Sequence, residues 1–280
     1  MPSRILFLGT AGHHTLYGKQ ARASGGILLQ IQGTQLHLDP GPGALVQLVH
    51  YNIDVREHTA LLVTHAHLNH CNDLNILLSA MTYQGFDKHG ILITNETVVN
   101  GAEKISPVLT HFHRNFLERL MVVKPYQKVA LNDIEIHALP AFHNDPYAIG
   151  FKIYTPEFIV TYSGDTSYHK ELLEAYEKSD ILILNVQHPF GAKEKEGLTS
   201  DDAVKIIEKI KPVLCVITHF GPKMIKENPV YQAREIQKQT KVQVIAAEDG
   251  FEVTPDSYAA ISKQKRLSSF SPEQKSYSPS

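Results

Sequence analysis

The sequence has only two cysteines, no tryptophan and no long hydrophobic run. Cys71 and Cys215 cannot supply the disulfide framework of a small secreted domain, which favours a reduced setting. No apolar run approaches the roughly 20 residues of a membrane span. The apolar part of residues 1–9 is also too short for a signal peptide. We therefore expect a cytoplasmic protein with no membrane partner.

The chain also lacks a strong net charge. It carries 27 basic and 29 acidic residues, for a formal net charge of −2. This balance gives no global basic field for nucleic acid, although a local patch stays open. With 280 residues, 42% of them apolar, the chain can form one large domain or two small ones. Because the apolar pattern ends near residue 255, we predict one domain over residues 1–255 and a mobile tail over residues 256–280.

Short apolar strands alternate with polar loops and amphipathic helices, which is typical of an α/β fold. The predicted strands are 5–8, 27–31, 35–38, 60–64, 90–93, 134–139, 148–154, 158–162, 181–185, 213–218 and 242–246. The predicted helices are 71–82, 102–120, 170–178, 201–210 and 230–239. Pro107 should break or kink the second helix, and Thr199 or Ser200 should cap the fourth.

Three imidazoles fall within six residues, directly after the apolar run 60–63. His65 and His67 alternate on an extended backbone, so both can point to one side. His70 follows at the position where we expect a helix to begin. Imidazole is a common ligand of zinc and its neighbours, so this spacing at a strand end predicts a metal site. The chain has 16 histidines, and most of the others need a more ordinary explanation.

Three more candidate ligands each follow a predicted strand. His143 comes after strand 134–139, Asp165 after strand 158–162, and His219 after strand 213–218. In open α/β sheets, ligands gather beyond the carboxyl ends of the strands. Each position alone is a weak signal, but their joint order predicts that these loops converge on one point.

This series of motifs resembles the metallo-β-lactamase-fold hydrolases. That family carries His-x-His-x-Asp-His, then a later His, a Gly-Asp pair and a final His. Residues 7–10 and 38–43 resemble the branch that contains tRNase Z and related phosphodiesterases. The resemblance covers about residues 4–253 and implies an αββα sandwich of two mixed β-sheets flanked by helices.

The resemblance implies two metal ions, usually zinc, with manganese or iron as alternatives. By position in the motifs, His65, His67 and His143 would hold the first ion. Asp165 would bridge the two ions. Asp39 would support the ligands from behind and would not bind a metal itself.

The second ion would be held by residue 69, His70 and His219, and the chain departs from the family at residue 69. The family has Asp there, as a ligand and often as the group that orients or deprotonates the attacking water. Asn69 offers an amide oxygen without charge, which accepts no proton at neutral pH. Three interpretations stay open. The protein is an enzyme that binds one metal tightly and one weakly, it carries a deliberate inactivating substitution at residue 69, or it descends from an enzyme and has lost the activity. We favour a hydrolase with a compromised second site.

The resemblance to tRNase Z is incomplete. Related tRNase Z proteins carry a loop histidine before a Ser or Thr at a helix start, and residues 196–200 contain none. No long arm for gripping tRNA is evident, so full tRNase Z activity is not expected. His188, on a strand-end loop, could stand in as proton donor or could simply cap a turn. The candidate catalytic residues are therefore Asn69, Asp165 and His188.

Several loop residues are candidates for substrate binding. His13 and His14 follow the first strand and could line the mouth of the site. Lys19 and Arg22 could pair with a phosphate, although solvated surface charges are the simpler interpretation. Asp73 could lie one helical turn from residue 69 and replace the missing carboxylate.

Together these features indicate a metal-dependent hydrolase in which metal-activated water attacks a phosphodiester, in a small molecule or in nucleic acid. The phosphodiester preference comes from the resemblance. A lactone or thioester hydrolase is the enzyme alternative. A catalytically inactive, metal-stabilised module that binds a nucleotide or RNA is the non-enzyme alternative, and Asn69 favours it. The substrate, the metal and a homo-oligomeric state stay open.

Overall fold

The computed structural model describes residues 3–258, so most of the predicted tail lies outside the described residues. The helices of the described range are α1 (His14–Tyr17), α2 (Ala44–His50), α3 (Leu68–Cys71), α4 (Leu74–Met81), α5 (Glu96–Asn100), α6 (His111–Arg114), α7 (Glu171–Ala175), α8 (Ser200–Ile210), α9 (Pro222–Lys226) and α10 (Pro229–Thr240), with a 3-10 turn at Val55–Glu57. The strands are β1 (Arg4–Gly9), β2 (Ser24–Ile31), β3 (Thr34–Leu38), β4 (His58–Val63), β5 (Ile91–Thr94), β6 (Arg119–Val122), β7 (Lys128–Leu131), β8 (Ile134–Pro140), β9 (Ile149–Tyr154), β10 (Ile159–Tyr162), β11 (Ile181–His188), β12 (Leu198–Thr199), β13 (Leu214–Thr218), β14 (Gln243–Ala246) and β15 (Glu252–Val253).

The strands form two mixed sheets. The first has the order β15-β1-β2-β3-β4-β5-β6, antiparallel from β15 to β3 and parallel from β3 to β6. The second has the order β14-β13-β11-β10-β9-β8-β7, with β12 beside β11. Strands β10, β11, β13 and β14 are parallel, while β9 and β7 run the other way. Consequently β8, β10 and β13 all end at the same edge.

Three apolar clusters make this a four-layer sandwich. The largest lies between the sheets and includes the fully buried Leu62 of β4 and Phe151 of β9. A second joins the first sheet to α2 and α4, and a third joins the second sheet to α8 and α10. Burial of these apolar faces is the main favourable term in folding. The predicted αββα architecture is confirmed.

The predicted helix over residues 102–120 is wrong. Ala102 and Ile105 pair in a tight bridge, α6 is a single turn, and residues 119–122 form β6 against β5. Pro107 excludes a continuous helix here, and pairing with β5 then takes the last apolar residues. The predicted helix 71–82 is divided into α3 and α4. The predicted cap is confirmed: Thr199 accepts from the backbone N–H of Asp202 in a capping box.

The two sheets meet at the edge that carries the candidate ligands. The backbone N–H of Ile149, in the second sheet, donates to the carbonyl of Thr64, just past β4 in the first sheet, at 3.1 Å. His65 lies one residue further on, and the ends of β8, β10 and β13 lie across from it. The sandwich therefore brings loops from both sheets to one place, as the order of the motifs predicted.

Candidate metal centre

The predicted ligands converge at this edge. Two groups of side chains each place one ligand atom per residue within 4.8 Å of one another: His65, His67 and His143, and His65, His70 and Asp165. His65 belongs to both groups and is fully buried, while His67, His143 and Asp165 are half-buried. The first group is the set predicted for the first ion. The centre thus has a buried inner end at His65 and a more open end at His67 and His143.

The residues predicted for the second ion are also neighbours. His219 Nε2 lies 2.9 Å from His70 Nε2 and 3.1 Å from Asn69 Nδ2. His219 Nδ1 lies 3.3 Å from Asp165 Oδ1. Asn69 therefore lies beside His219, next to the other residues predicted for the second ion. Its amide group faces His219 through the nitrogen, an orientation that only the hydrogen-bond network assigns.

Asp39 orients two of the candidate ligands. His70 Nδ1 donates to Asp39 Oδ2 at 2.8 Å. Thr64 Oγ1 donates to the same oxygen at 2.8 Å, so it accepts from His65 Nδ1 at 2.9 Å. In both histidines a proton therefore sits on Nδ1, and Nε2 faces the centre. This carboxylate–histidine arrangement is typical of metal sites.

The unpaired nitrogens fit a metal. Within residues 3–258, His65 Nε2, His143 Nδ1 and His219 Nδ1 are buried and make no hydrogen bond. Buried polar atoms are nearly always paired, so unpaired ring nitrogens on three neighbouring imidazoles are consistent with a site that binds an electrophile. His67 Nδ1 and His143 Nε2 lie only 3.2 Å apart, which a shared cation would explain. A set of imidazoles and one carboxylate suits a divalent metal.

The charges of the centre also call for a cation. Burial alone would lower the pKa of His70, but Asp165 and Asp39 raise it to about 10. Burial alone would raise the pKa of Asp165, but His219 and His70 hold it well below its usual range. Two buried carboxylates thus attract positive charge to His70. Burial lowers the pKa of His65 and His67, so these rings are neutral and ready to bind a metal.

Backbone strain and close approach also occur at this place, although other non-glycine residues of the described chain have positive φ as well. Asp39 and His219 have φ of +50° and +62°, in the left-handed region that non-glycine residues rarely adopt. A Cβ on Gly12 would lie 2.4 Å from His219 Nδ1, and a Cβ on Gly41 would lie 2.1 Å from the carbonyl oxygen of Asn69. Such strain persists only where the surroundings fix it, and it gathers at functional sites.

Some supporting residues escaped the sequence analysis. Asp145 is buried and accepts from the backbone N–H of Ala66 at 3.0 Å and from Thr97 Oγ1 at 2.6 Å, which fixes the loop between His65 and His67. Its position two residues after His143 was the only signal in the sequence. Asp249 has no signal of this kind, because nothing nearby in the chain is a ligand.

Asp249 fastens the loop that follows β1. Its carboxylate accepts from Thr10 N at 2.9 Å and Thr10 Oγ1 at 2.8 Å. Thr10 in turn accepts from the backbone N–H of Phe220 at 2.8 Å, and Gly12 N donates to the Phe220 carbonyl at 2.9 Å. This short parallel bridge next to His219 holds the left-handed turn of that residue.

The predicted substrate-binding residues have mixed positions. His13 caps α1 through the backbone N–H of Thr15, and its ring is tilted by 34° against that of His14, with 4.0 Å between the ring centroids. It follows Gly12, which lies close to His219. Burial and then the neighbouring His14 lower the pKa of His13. Lys19 is exposed.

Two other candidates are engaged elsewhere. Arg22 Nη1 donates to Thr10 Oγ1 at 3.0 Å, so it supports the β1 loop. Asp73 accepts from the backbone N–H of Leu45 at 3.3 Å, at the start of α2. Asp73 therefore does not supply the carboxylate that residue 69 lacks.

His188 lies at the end of β11. Its Nε2 lies 3.0 Å from the carbonyl of Glu196, to which an N–H there would donate. The preceding Gln187 donates from Nε2 to the Gly12 carbonyl at 2.9 Å, which ties the end of β11 to the loop of His13. The two loops that carry His13 and His188 thus meet beside His219.

The sequence and the fold match known proteins. The family model described as a beta-lactamase superfamily domain matches residues 34–220. An uncharacterized protein of Methanocaldococcus jannaschii is 32% identical over 255 residues, which cover 90% of this chain and 95% of that protein. Ribonuclease Z of Clostridium kluyveri is 22% identical, over 84% of this chain and 94% of that protein. The metallo-β-lactamase-fold protein YhfI of Bacillus subtilis superposes with a TM-score of 0.74 and 19% identity, covering 90% of this chain and 99% of that structure.

The chain belongs to the beta-lactamase superfamily. The resemblance to its tRNase Z-like branch, expected from residues 7–10 and 38–43, is confirmed. The His/Asp cluster is the part of the chain suited to a divalent metal. Between residues 3 and 258, no helix combines the length and apolarity needed to cross a membrane.

Proposed function

We propose that this protein is a zinc-dependent phosphodiester hydrolase with one firm and one weak metal position. The observation that carries the proposal is the convergence of His65, His67 and His143 beside Asp165, with buried ring nitrogens that have no other partner in the described chain. Similarity to a ribonuclease Z supports a phosphodiester, since RNA is linked by such bonds. Manganese or iron could replace zinc on the same donors.

The chemistry divides between the metal and the side chains. When bound, the metal would polarise a phosphoryl oxygen and lower the pKa of a water molecule. His65, His67 and His143 would hold the first ion, and Asp165 would extend toward the second. Asp39 keeps the Nε2 lone pair of His65 directed inward through Thr64. These groups need not move, which is the preorganisation that efficient catalysis requires.

Residue 69 limits the second ion. The Asn69 amide must turn to present its oxygen, because its nitrogen now faces His219 Nε2 at 3.1 Å. It then contributes no charge and cannot take a proton from water. Asp73 does not compensate, since its carboxylate faces α2. We therefore infer a second ion that binds less tightly and a hydrolysis that lacks its usual base.

The leaving group needs a proton donor, and we propose His188 for this role. It lies next to Gln187, whose Nε2 donates to the Gly12 carbonyl at 2.9 Å. This hydrogen bond joins the loops of His188 and His13 beside His219. His13, His14, Lys19 and Arg22 remain proposals for substrate contacts. Arg22 has the weakest case among them, because it is already bound to Thr10.

Metal analysis and one substitution test the proposal. We expect the parent to hold about one firm ion per chain and to hydrolyse bis-p-nitrophenyl phosphate slowly with added Zn²⁺ or Mn²⁺. Asn69→Asp should bind a second ion and raise turnover by about 10- to 100-fold, the usual range for a group that tunes a metal. Asn72→Asp is the matched control, because it adds the same charge to the exposed end of α3.

Other outcomes would change the assignment. Turnover of a lactone or thioester panel without phosphodiester turnover would identify the enzyme alternative. Activity only in Asn69→Asp, together with nucleotide binding by the parent, would identify a binding module. No metal after gentle purification would overturn the proposal as a whole.

A further inference from the structure

A closed ring of buried hydrogen bonds connects the two carboxylates of the centre. We call it the buried ring; its members are Asp39, His70, Asp165, Asn185 and Tyr162. His70 Nδ1 and the Tyr162 hydroxyl both donate to Asp39 Oδ2 at 2.8 Å. Asn185 Nδ2 donates to Asp165 Oδ1 at 2.7 Å and to the Tyr162 oxygen at 3.2 Å. Asp165 Oδ2 lies 3.2 Å from His70 Nε2, which closes the ring.

Two of the three members that would not bind metal, Tyr162 and Asn185, come from adjacent strands. Tyr162 ends β10 and pairs in register with Ile183 of β11, two residues before Asn185. Both are buried, with exposed fractions of 3% and 2%. The backbone N–H of Asn185 also donates to Ser163 Oγ at 3.0 Å. Sheet pairing therefore fixes both side chains, and hydrogen bonds in such a dry setting are strong.

The ring fixes two ligands relative to each other. One half, through Asp39, sets the tautomer and direction of His70. The other half, through Asn185, orients Asp165 and leaves its Oδ2 facing His70. The shared Tyr162 hydroxyl joins the halves, as acceptor from Asn185 and donor to Asp39. Because residue 69 is a neutral amide, the second ion depends on His70 and Asp165 more than it would if residue 69 were an aspartate.

We propose that Tyr162 and Asn185 are positioning residues for the second ion. They hold the separation of His70 and Asp165, and they touch neither His67 nor His143 of the first ion. This inference rests on the proposed function, because it assumes that the centre binds metal. Its effect is unequal: losing the ring weakens the second ion, which would be held by His70 and Asp165, more than the first, which would keep His65, His67 and His143.

Conservative variants test this selectivity. Tyr162→Phe removes only the hydroxyl, and Asn185→Leu removes the amide at similar size. We expect each to raise the dissociation constant of the second ion by about 10-fold or more, within the range for outer partners of ligands. In the double variant, the dissociation constant of the second ion should rise by less than the product of the two single effects, because both residues act through one ring. The dissociation constant of the first ion should change by less than that of the second.

The measurement is a cobalt titration followed by absorbance and calorimetry, with unfolding of the metal-free variants recorded beside it. Thr161→Val is the matched control. It removes a buried hydroxyl from the same strand, but that hydroxyl pairs with Ser179 at 2.6 Å and not with the ring. It should leave both dissociation constants unchanged.

The outcomes separate this inference from the proposed function. A parent that binds no metal overturns the proposed function and the inference with it. Metal binding with equal weakening of both ions, or no weakening, overturns the positioning role alone. If the parent binds one ion, the variants are made on Asn69→Asp, where the second ion should be measurable. Failure to bind a second ion there also overturns the positioning role.

Discussion

Two clusters of buried histidines differ in how their ring nitrogens are used. In the first sheet, His37 and His58 lie side by side, with His37 Nδ1 3.2 Å from His58 Nε2. His37 Nε2 lies 2.7 Å from the Gly25 carbonyl, and His58 Nδ1 lies 2.8 Å from the Val55 carbonyl and 3.0 Å from Gln35 Nε2. Every ring nitrogen of this pair has a polar neighbour.

The metal centre has the opposite character. His65 is as buried as His37, yet its Nε2 has no hydrogen-bond partner among residues 3–258. It faces other imidazoles and Asp165 instead of backbone carbonyls. Burial and histidine content therefore do not distinguish a ligand from a core residue. Convergent, unpaired nitrogens beside a carboxylate do, and the comparison can be tested by disturbing each cluster in turn.

The largest effect is expected from His65→Ala, because His65 belongs to both ligand groups. Metal content should fall to well below one ion per chain. Metal-dependent turnover should fall by more than the about 100-fold that loss of an outer partner costs. Plasma emission spectrometry of the purified protein measures the metal content. His58→Gln is the control and should keep the parent's content. Equal loss in both variants, or full retention in His65→Ala, would remove the distinction between the clusters.

Acid should act on the His37–His58 pair with a smaller effect. Burial lowers the pKa of His37 from 6.5 to about 4 and that of His58 from 6.5 to about 3. Below pH 6.5 the unfolded chain therefore binds more protons than the folded one. The free energy of unfolding is highest above pH 6.5 and decreases as the pH falls. At pH 5 the loss is about 2 kcal/mol for each histidine.

Urea unfolding of the chelator-treated protein between pH 7.5 and pH 5 measures this loss. Because other histidines also titrate, the informative quantity is the difference between the parent and His58→Gln, which should have a flatter profile. Parallel profiles would show that His58 binds its proton equally well in both states, contrary to the burial argument.

Gly12→Ala should give the smallest effect and the most local one. The added methyl group would lie 2.2 Å from the His219 carbonyl oxygen and 2.4 Å from its Nδ1, so His219 must shift. We expect the second ion to bind about 10- to 100-fold less tightly, with the first ion unaffected. Gly18→Ala places its methyl group near His14 instead and serves as the control. Isothermal titration with Zn²⁺ distinguishes the two ions, and equal weakening of both would contradict a role confined to His219.

Much of the fold could be predicted from local pattern. The apolar runs that form β4, β10 and β13 are short and bounded by polar loops, so their pattern and length were sufficient to predict strands. Residues 102–120 show the limit. Their apolar residues allow a helix, but Pro107 and the pairing of β6 with β5 decide otherwise, and strand pairing is not a local property. Short helices such as α2 depend on a turn at Gly43, where φ is +85°.

The candidate site also divides into residues that local sequence predicted and residues that depend on contacts between distant parts of the chain. The motif gave the positions of His65, His67 and His70, and strand ends gave His143, Asp165 and His219. Their supporting partners are distant in sequence, so nothing local indicated that Asn185 would bind Asp165 or that Asp249 would hold Thr10. Nor can a sequence show which nitrogen lacks a partner. That property exists only once the loops from both sheets have met.

The bridge beside His219 has a consequence for how this centre comes into being. Thr10 lies near the amino end of the described chain and Asp249 near its carboxyl end, and the two must join before the turn at His219 is secured. During synthesis, His65, His67 and His143 could come together before the chain is complete. The proposed ligand His219 would be fixed only after Thr10 and Asp249 have paired. If the proposed second ion binds, it would then do so only after the chain is synthesised and the sandwich is closed.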